Sequence, residues 1–177
     1  MINNGIFAET PRLILRELLP TDDAGMFALD SDTEVQRYVG NKAQVHIDES
    51  RAVIAFIRQQ YIDNGIGRWA VIEKSTNEFL GWCGLKRIKD PMNNHCNFYE
   101  LGYRFQQKYW GQGFATEAAR ATIEYGFNTL HLEHIYAITD TENTASGHVL
   151  KKIGFRYVET FTHEGTPHHW YQCSRQV

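Results

Sequence analysis

The chain has 177 residues, of which 42% are hydrophobic and 22% charged, and its formal net charge is −3. This length predicts one domain over residues 1–177 with its own core. The small negative charge argues against a nucleic-acid partner, and no apolar run approaches the roughly 18–20 residues of a membrane-spanning helix. The N-terminus lacks the pattern of a signal peptide, and three widely spaced cysteines indicate reduced thiols, so a cytoplasmic protein is expected.

The first third of the chain predicts one strand followed by helices. The segment R-L-I-L-R-E predicts a first strand over Arg12–Glu17. The following P-T-D-D indicates a helix start with Thr21 as N-cap, and Asp32 is expected to cap a short second helix. A longer helix is predicted over Asp48–Tyr61 from its helical spacing of apolar residues.

The rest of the chain predicts a sheet interrupted by two helices. Strands are predicted over Arg68–Glu73, Phe79–Ile88, Phe98–Phe105, His134–Thr139, Tyr157–Thr162 and His169–Cys173, and helices from Gly111 onward and over Asn143–Ile153. The order indicates a mixed α/β (α+β) fold with one sheet flanked by helices.

A glycine turn between a strand and a helix is the segment that most clearly indicates a ligand-binding site. Gly111 and Gly113 let a bulky anion approach the backbone where the first amides of a helix have no intrahelical acceptor. Thr116 could add a hydroxyl and Lys108 a charge. A ligand-free connection and a dinucleotide site, with Asp140 ending the next strand, are the alternatives; no G-K-[ST] follows, which excludes a Walker loop.

The segment K-Y-W-G-Q-G-F-A-T-E-A resembles the acyl-CoA pyrophosphate loop of the GNAT acetyltransferase superfamily. E-T-P-R-L-I-L-R-E, E-L-G-Y-R-F and N-T-A-S-G-H-V-L-K-K-I-G-F agree in order with its RimJ/RimL-type branch, so the resemblance covers about Glu9 to Tyr157. It implies the GNAT acyl-CoA N-acyltransferase fold, with a mostly antiparallel central sheet. It also implies acetyl-CoA as donor, a protein N-terminal α-amine or small-molecule amine as acceptor, and a homodimer.

The resemblance also implies the cofactor site. Lys108 stands where the family has Arg or Gln, and Asn143, the natural cap of its helix, is expected to touch the pantetheine arm as well. A backbone amide near Phe105 is implied as the donor to the oxyanion. The implied cofactor-binding residues are Phe105, Lys108, Gly111, Gln112, Gly113, Ala115, Thr116 and Asn143.

Two residues are candidates for catalysis. Strand alternation places Glu100 on one face with Arg104. The resemblance supports Glu100 as the base that accepts the amine proton, directly or through water; the alternative is an acid that is solvated or paired with an arginine such as Arg104. By resemblance Ser146 lies near the thioester and could donate to the leaving sulfur; the alternative is a serine that only caps its helix. Leu150 stands where many family members carry a tyrosine acid.

No metal site is predicted, because adjacent His168 and His169 point to opposite faces of a strand and no Cys or carboxylate cluster completes a site. No base accompanies Cys83 or Cys96, so direct attack in a ternary complex is expected. A non-catalytic acyl-CoA sensor and a dinucleotide-dependent oxidoreductase remain alternative functions. The acceptor is expected to meet residues of three segments without a motif: Thr33–His46, Lys89–Asn97 and Glu164–His169.

Overall fold

A computed structural model describes residues 5–175. The first four residues, on which the expectation of no signal peptide partly rests, lie outside the described residues. The strands are β1 (Ile6–Glu9), β2 (Leu13–Arg16), β3 (Arg68–Glu73), β4 (Phe79–Ile88), β5 (Phe98–Phe105), β6 (His134–Asp140), β7 (Arg156–His163) and β8 (Thr166–Ser174). The helices are α1 (Asp23–Asp30), α2 (Thr33–Gln36), α3 (Ile47–Asn64), α4 (Phe114–Asn128) and α5 (Thr144–Lys152). Within this described part, no helix is long and apolar enough to cross a membrane.

All eight strands form one sheet in the order β1-β2-β3-β4-β5-β6-β8-β7. Every neighbouring pair is antiparallel except β5 and β6, which run parallel. The predicted fold class, a mostly antiparallel mixed sheet flanked by helices, is therefore confirmed. The parallel pair is the important exception, because it registers at one residue pair, Glu100 with Tyr136, and then separates.

The N-terminal part of the structure contains one strand that was not predicted and lacks one predicted helix cap. β1 was not predicted, because four residues are too few for a clear alternation. Thr21 is not an N-cap: the residues Pro20–Asp22 form a short 3-10 turn, and Asp22 accepts the Leu19 amide at 2.7 Å. Arg16 holds the same Asp22 carboxylate through both oxygens at 2.8 and 2.9 Å, so a tertiary ion pair decides how this turn is closed.

The sheet has two differently covered faces. We call the face that carries Glu100, Gly102 and Arg104 the front face, and the opposite one the back face. On the front face the core joins Ala70 and Ile72 to α1 and α3 through Met26, Leu29, Ile54 and Ile57. On the back face Leu101 and Phe105 join the core that contains Phe114, Ala118 and Ile123 of α4. Side chains repeat every two residues along a strand and every 3.6 along a helix, and this spacing places the apolar residues of strand and helix on facing surfaces.

Candidate active site

The loop before α4 presents a run of free backbone donors. Gly111 and Gly113 have φ angles of 74° and 82°, in the left-handed region where glycine is unstrained. Within the described part of the chain, the amides of residues 111 to 116 donate to no protein acceptor, and the first bond back to the loop is Glu117 N to Gly113 O at 3.0 Å. The positive end of the α4 dipole lies at the same place. This geometry suits a phosphate group.

Side chains brace this loop from the strand side. The Trp110 indole donates to the Phe105 carbonyl at 2.8 Å, and the Tyr109 hydroxyl donates to Glu78 at 2.9 Å. The Lys108 ammonium lies 3.8 Å from Glu78 and over the Tyr109 ring, so its charge remains at the surface beside the loop. The Phe105 side chain itself is buried in the core under α4. The loop is thus attached to the end of β5.

A cavity of about 660 Å³ lies where β5 and β6 separate. Its walls come from both faces of the sheet: Glu100 and Arg104 lie on the front, and Tyr103 and Ser146 on the back. The cavity therefore passes through the sheet between the two strands. One wall atom, Thr139 Oγ1, is buried without a hydrogen-bond partner among residues 5–175, so it is available to a polar ligand group or a water. The remaining wall residues near these five include Ala137, Asp140, Asn143 and Leu150.

On the front wall, Glu100 is paired with Arg68. Arg68 Nη2 donates to Glu100 Oε2 at 2.9 Å, and the two side chains are only 11% and 15% exposed. The alternative of an arginine-paired acid thus holds for Glu100, but the partner is Arg68 and not Arg104, which binds Asp30 at 2.6 Å. Four strand residues span about 13 Å, too far for Glu100 and Arg104 to meet. No protein group in the described chain donates to Glu100 Oε1, which leaves that oxygen for a ligand or water.

Gly102 makes room for this pair. A Cβ on Gly102 would lie 2.6 Å from Arg68 Nη2, so the Arg68 guanidinium lies across the strand where a side chain would be. Arg68 also donates to the Gly84 and Glu100 carbonyls at 2.6 and 2.8 Å. Three hydrogen bonds therefore fix the cation that holds Glu100.

On the back wall, two hydroxyl groups meet. Asn143 Oδ1 accepts the Ser146 amide at 3.1 Å, which confirms Asn143 as the N-cap of α5. The Ser146 hydroxyl lies 2.9 Å from the Tyr103 hydroxyl, which also donates to the Ser146 carbonyl at 3.1 Å. Burial raises the pKa of Tyr103, so this phenol keeps its proton. The pair can offer a proton to a group in the cavity.

Sequence reasoning missed Tyr103 and Arg68 as site residues. Alternation on β5 placed Tyr103 on the face opposite Glu100, and the parallel pairing of β5 with β6 could have indicated that this face also borders the site. No local signal marks Arg68, because its partner is 32 positions away.

Two of the three segments expected at the acceptor side do line the cavity. Residues 37–41, which follow α2, form part of the wall, and so do His163, Glu164, Thr166 and His168 at the β7–β8 turn. The Lys89–Asn97 loop packs elsewhere: the His95 ring stacks on Trp170 with ring centres 5.0 Å apart. This loop therefore covers the front face of β6 and β8.

The titratable groups considered for other chemistry have ordinary structural partners. His168 faces Phe161 and Thr166, while His169 bonds Thr160, so the two rings do lie on opposite sides of β8. Among residues 5–175, no group of three metal-binding side chains is found. Burial raises the pKa of the Cys83 thiol to about 12, and this thiol lies 3.4 Å from the Thr122 hydroxyl.

The free amides beside a strand pair that opens into a cavity are the arrangement expected of a protein that takes a phosphate-bearing ligand at its sheet. Residues 12–156 match the family described as "Acetyltransferase (GNAT) domain". The chain belongs to this family of acetyltransferases, whose members use acetyl-CoA as the donor.

Relatives in sequence and structure agree with this family. The Bacillus subtilis protein named "Uncharacterized N-acetyltransferase YoaA" is 32% identical over 148 residues, which are 84% of this chain and 81% of YoaA. The Aspergillus fumigatus "FsC-acetyl coenzyme A-N(2)-transacetylase" is 33% identical over 75% of this chain and 57% of its own length. A GNAT-family acetyltransferase from Bacillus anthracis superposes with a TM-score of 0.77 at 27% identity, covering 94% and 96% of the two chains.

A more distant structure shares the fold alone. It is the ribosomal L7/L12 α-N-protein acetyltransferase RimL in complex with coenzyme A, with a TM-score of 0.80 at 15% identity. The alignment covers 96% of this chain and 97% of that one.

Proposed function

We propose that this protein transfers the acetyl group of acetyl-CoA to a primary amine by direct attack in a ternary complex. The observation that carries the proposal is the cavity through the sheet, which has a carboxylate on its front wall and a hydroxyl pair on its back wall. The free amides of residues 111 to 116 lie beside the end of β5. Donor and acceptor can therefore enter from opposite faces and meet between β5 and β6.

The donor would bind on the back face. Gly111, Gln112, Gly113, Ala115 and Thr116 would hold the pyrophosphate through their amides, with the charge of Lys108 nearby. The pantetheine arm would pass Asn143 and the unpaired hydroxyl of Thr139, and the carbonyl of the thioester would lie near the end of β5 at Phe105. Because the net charge is −3, affinity for this anion rests on the local amides and not on a general basic surface.

The acceptor would enter from the front face. Its nitrogen must lose a proton to attack the thioester carbonyl, and Glu100 Oε1 is the free carboxylate oxygen on this wall. Glu100 would accept that proton directly or through water. Arg68 acts as a positioning residue, because it fixes the other oxygen of Glu100.

The leaving group would be protonated from the back wall. As the new C–N bond forms and the C–S bond breaks, negative charge develops on sulfur. The Ser146 hydroxyl would donate a hydrogen bond or proton to it. Tyr103 would orient Ser146, because its hydroxyl lies 2.9 Å from the Ser146 hydroxyl and donates to the Ser146 carbonyl at 3.1 Å. An acetyl-cysteine intermediate is not needed, and the buried Cys83 thiol with its raised pKa is a poor nucleophile.

We infer further that the protein is of the RimJ/RimL type, on the four ordered sequence motifs. A protein N-terminal α-amine or a small-molecule amine then remains as acceptor. Support for an acceptor entrance comes from residues 37–41 and the β7–β8 turn, which both line the cavity.

The test is turnover with a panel of amines that includes peptides with free N-termini, scored by release of CoA. Release with at least one amine is expected. Binding of acetyl-CoA with no release by any amine would instead favour a sensor of the same fold. Tight binding of NADH and none of acetyl-CoA would favour an oxidoreductase.

The loop assignment is tested by Gly113→Glu, with Gly113→Ala as the matched control. Both variants strain the left-handed backbone at φ 82°, but only glutamate adds a negative charge. A charge about 6 Å from the pyrophosphate at an effective dielectric of about 20 costs about 3 kcal/mol, so the KM for acetyl-CoA should rise about 100-fold over that of the alanine variant. Equal KM values in the two variants would refute the assignment.

Glu100→Gln tests the base. Without it, reaction depends on the fraction of amine that is already neutral, so kcat should fall most at low pH and recover as pH rises. An unchanged pH profile would remove Glu100 from this role.

A further inference from the structure

Arg12 lies far from the loop before α4 in sequence but contacts it directly in the structure. Arg12 follows β1 and precedes β2, yet its Nη1 donates to the Gln112 carbonyl at 3.0 Å, across 100 positions. Its guanidinium also lies over the Phe114 ring, 4.2 Å from the centre. Its Nε donates to Glu117 Oε2 at 2.6 Å. Three groups of the loop and the first turn of α4 therefore fix one planar cation.

Glu117 anchors this arginine. Glu117 Oε1 accepts the Thr10 hydroxyl at 2.6 Å and the Arg12 amide at 3.1 Å. The Thr10 hydroxyl is itself fixed, because it accepts the Leu13 amide at 2.9 Å. Burial opposes ionisation of Glu117, but the hydrogen bonds from Thr10 and Arg12 outweigh it and lower the pKa of this carboxyl. The start of β2 is thus tied to α4 by an ionised carboxylate.

The hydrogen bond from Arg12 to the Gln112 carbonyl determines the direction of the Gly113 N–H. The described chain contains no cis peptide bond, so the C=O of Gln112 and the N–H of Gly113 point in opposite directions across one planar unit. Because Arg12 holds the carbonyl on its own side, the Gly113 N–H is directed away from Arg12. It then belongs to the free amide run of residues 111 to 116.

Gln112 lies between Gly111 and Gly113, so its peptide groups need an outside contact to hold one orientation. Gly111 has nothing within 4 Å of the place where a Cβ would be, and Gly113 has only Arg12 Nη2, at 3.5 Å. Glycine peptides rotate more freely than others, so without an outside contact the Gln112–Gly113 peptide can turn over and bury a carbonyl oxygen among the donors. Arg12 supplies that contact.

We propose that Arg12, held by Glu117, is a positioning residue for donor binding: its forked guanidinium keeps the Gln112–Gly113 peptide oriented so that the loop offers N–H groups to the pyrophosphate. This inference rests on the proposed function, which places the pyrophosphate at this loop. It predicts that the contribution of Arg12 depends on the phosphates of the donor and not on its acetyl-pantetheine part.

The experiment compares two acetyl donors, acetyl-CoA and S-acetylpantetheine, which lacks all phosphates. Arg12→Met should raise the KM for acetyl-CoA about tenfold and leave kcat/KM for S-acetylpantetheine within about twofold of the unmodified protein. Arg12→Lys should resemble Arg12→Met, because one ammonium cannot hold Gln112 and Glu117 together in the geometry of a guanidinium fork. Arg51→Met is the matched control: Arg51 makes two surface ion pairs, with Asp23 and Asp48, on the opposite side of the sheet from α4.

Several outcomes would overturn the inference. An equal loss with both donors would indicate a general structural role, and full restoration of KM by Arg12→Lys would indicate charge alone. If Arg12→Met does not fold, Glu117→Gln provides the same comparison with a milder change, and it should raise the KM for acetyl-CoA alone. Measurements on the unmodified protein distinguish failure of the loop assignment from failure of the proposed role of Arg12. If it does not prefer acetyl-CoA to S-acetylpantetheine, the loop assignment of the proposed function fails; if it does and Arg12→Met keeps that preference, only the role of Arg12 fails.

Discussion

Replacing Gly102 by alanine should displace Arg68 and, with it, Glu100. The new Cβ would lie 2.6 Å from Arg68 Nη2, whereas ordinary van der Waals contact begins near 3.4 Å, so the guanidinium must move by about 0.8 Å. A shift of that size breaks or bends the hydrogen bonds to Glu100 Oε2 and to the two carbonyls.

The magnitude follows from the burial of the pair. Hydrogen bonds to charged groups contribute about 1.5–3 kcal/mol each, and part of the loss is recovered by rearrangement and water, so the free energy of unfolding should fall by about 2–4 kcal/mol. For a chain of this length that corresponds to roughly 5–12 °C in Tm. Misplacing Glu100 by about 1 Å should lower kcat by about 10- to 100-fold while the KM for acetyl-CoA stays constant.

The assay is a double-mutant cycle of Gly102→Ala and Arg68→Ala, measured by urea unfolding and by CoA release. If the clash is with Arg68, the alanine at position 102 should cost almost nothing once Arg68 is truncated. An equal cost of Gly102→Ala in both backgrounds would refute this reasoning and would assign the effect to the backbone of β5.

Three further predictions concern the back wall, the loss of stability at acidic pH and the reactivity of the thiols. Tyr103→Phe should lower kcat about tenfold with little change in the KM for acetyl-CoA, and should have no further effect in a Ser146→Ala background; additive losses would separate the two hydroxyls. The pKa of Glu117 is lowered in the folded state, so its stabilising contribution is present above about pH 4.5 and lost as pH falls through the lowered value. Glu117→Gln should therefore flatten the decrease in urea stability below pH 4.5, and an unchanged slope would contradict the assignment. At pH 8 a thiol reagent should modify exposed Cys96 quickly and Cys83, with its pKa near 12, only on unfolding; rapid loss of both thiols would show that the core around Cys83 opens.

Much of the fold followed from local patterns. The short apolar runs in Arg68–Glu73 and Phe79–Ile88, with a turn between them, and the helical spacing after Gly113 are local signals that depend only on near neighbours. β3, β4 and β5 have the predicted bounds, whereas β6 ends one residue later than predicted, β8 begins three residues earlier, and α4 begins at Phe114 and not at Gly111. β1 was missed because its four residues are too few for a clear alternation, and the 3-10 turn was missed because its closure depends on the contacts that Asp22 makes with Leu19 and Arg16.

The sequence by itself determined the family, the glycine loop and the capping role of Asn143, since each is encoded within a few consecutive residues. Only the tertiary structure decided which groups meet. Glu100 finds Arg68 across 32 positions, Ser146 finds Tyr103 across 43, and Arg12 reaches Glu117 across 105. Strand register and helix packing set these contacts, and a spacing pattern along the chain carries no record of either. Gly102 shows the difference: in the sequence it weakens a strand, while in the fold it is the space that the Arg68 guanidinium occupies.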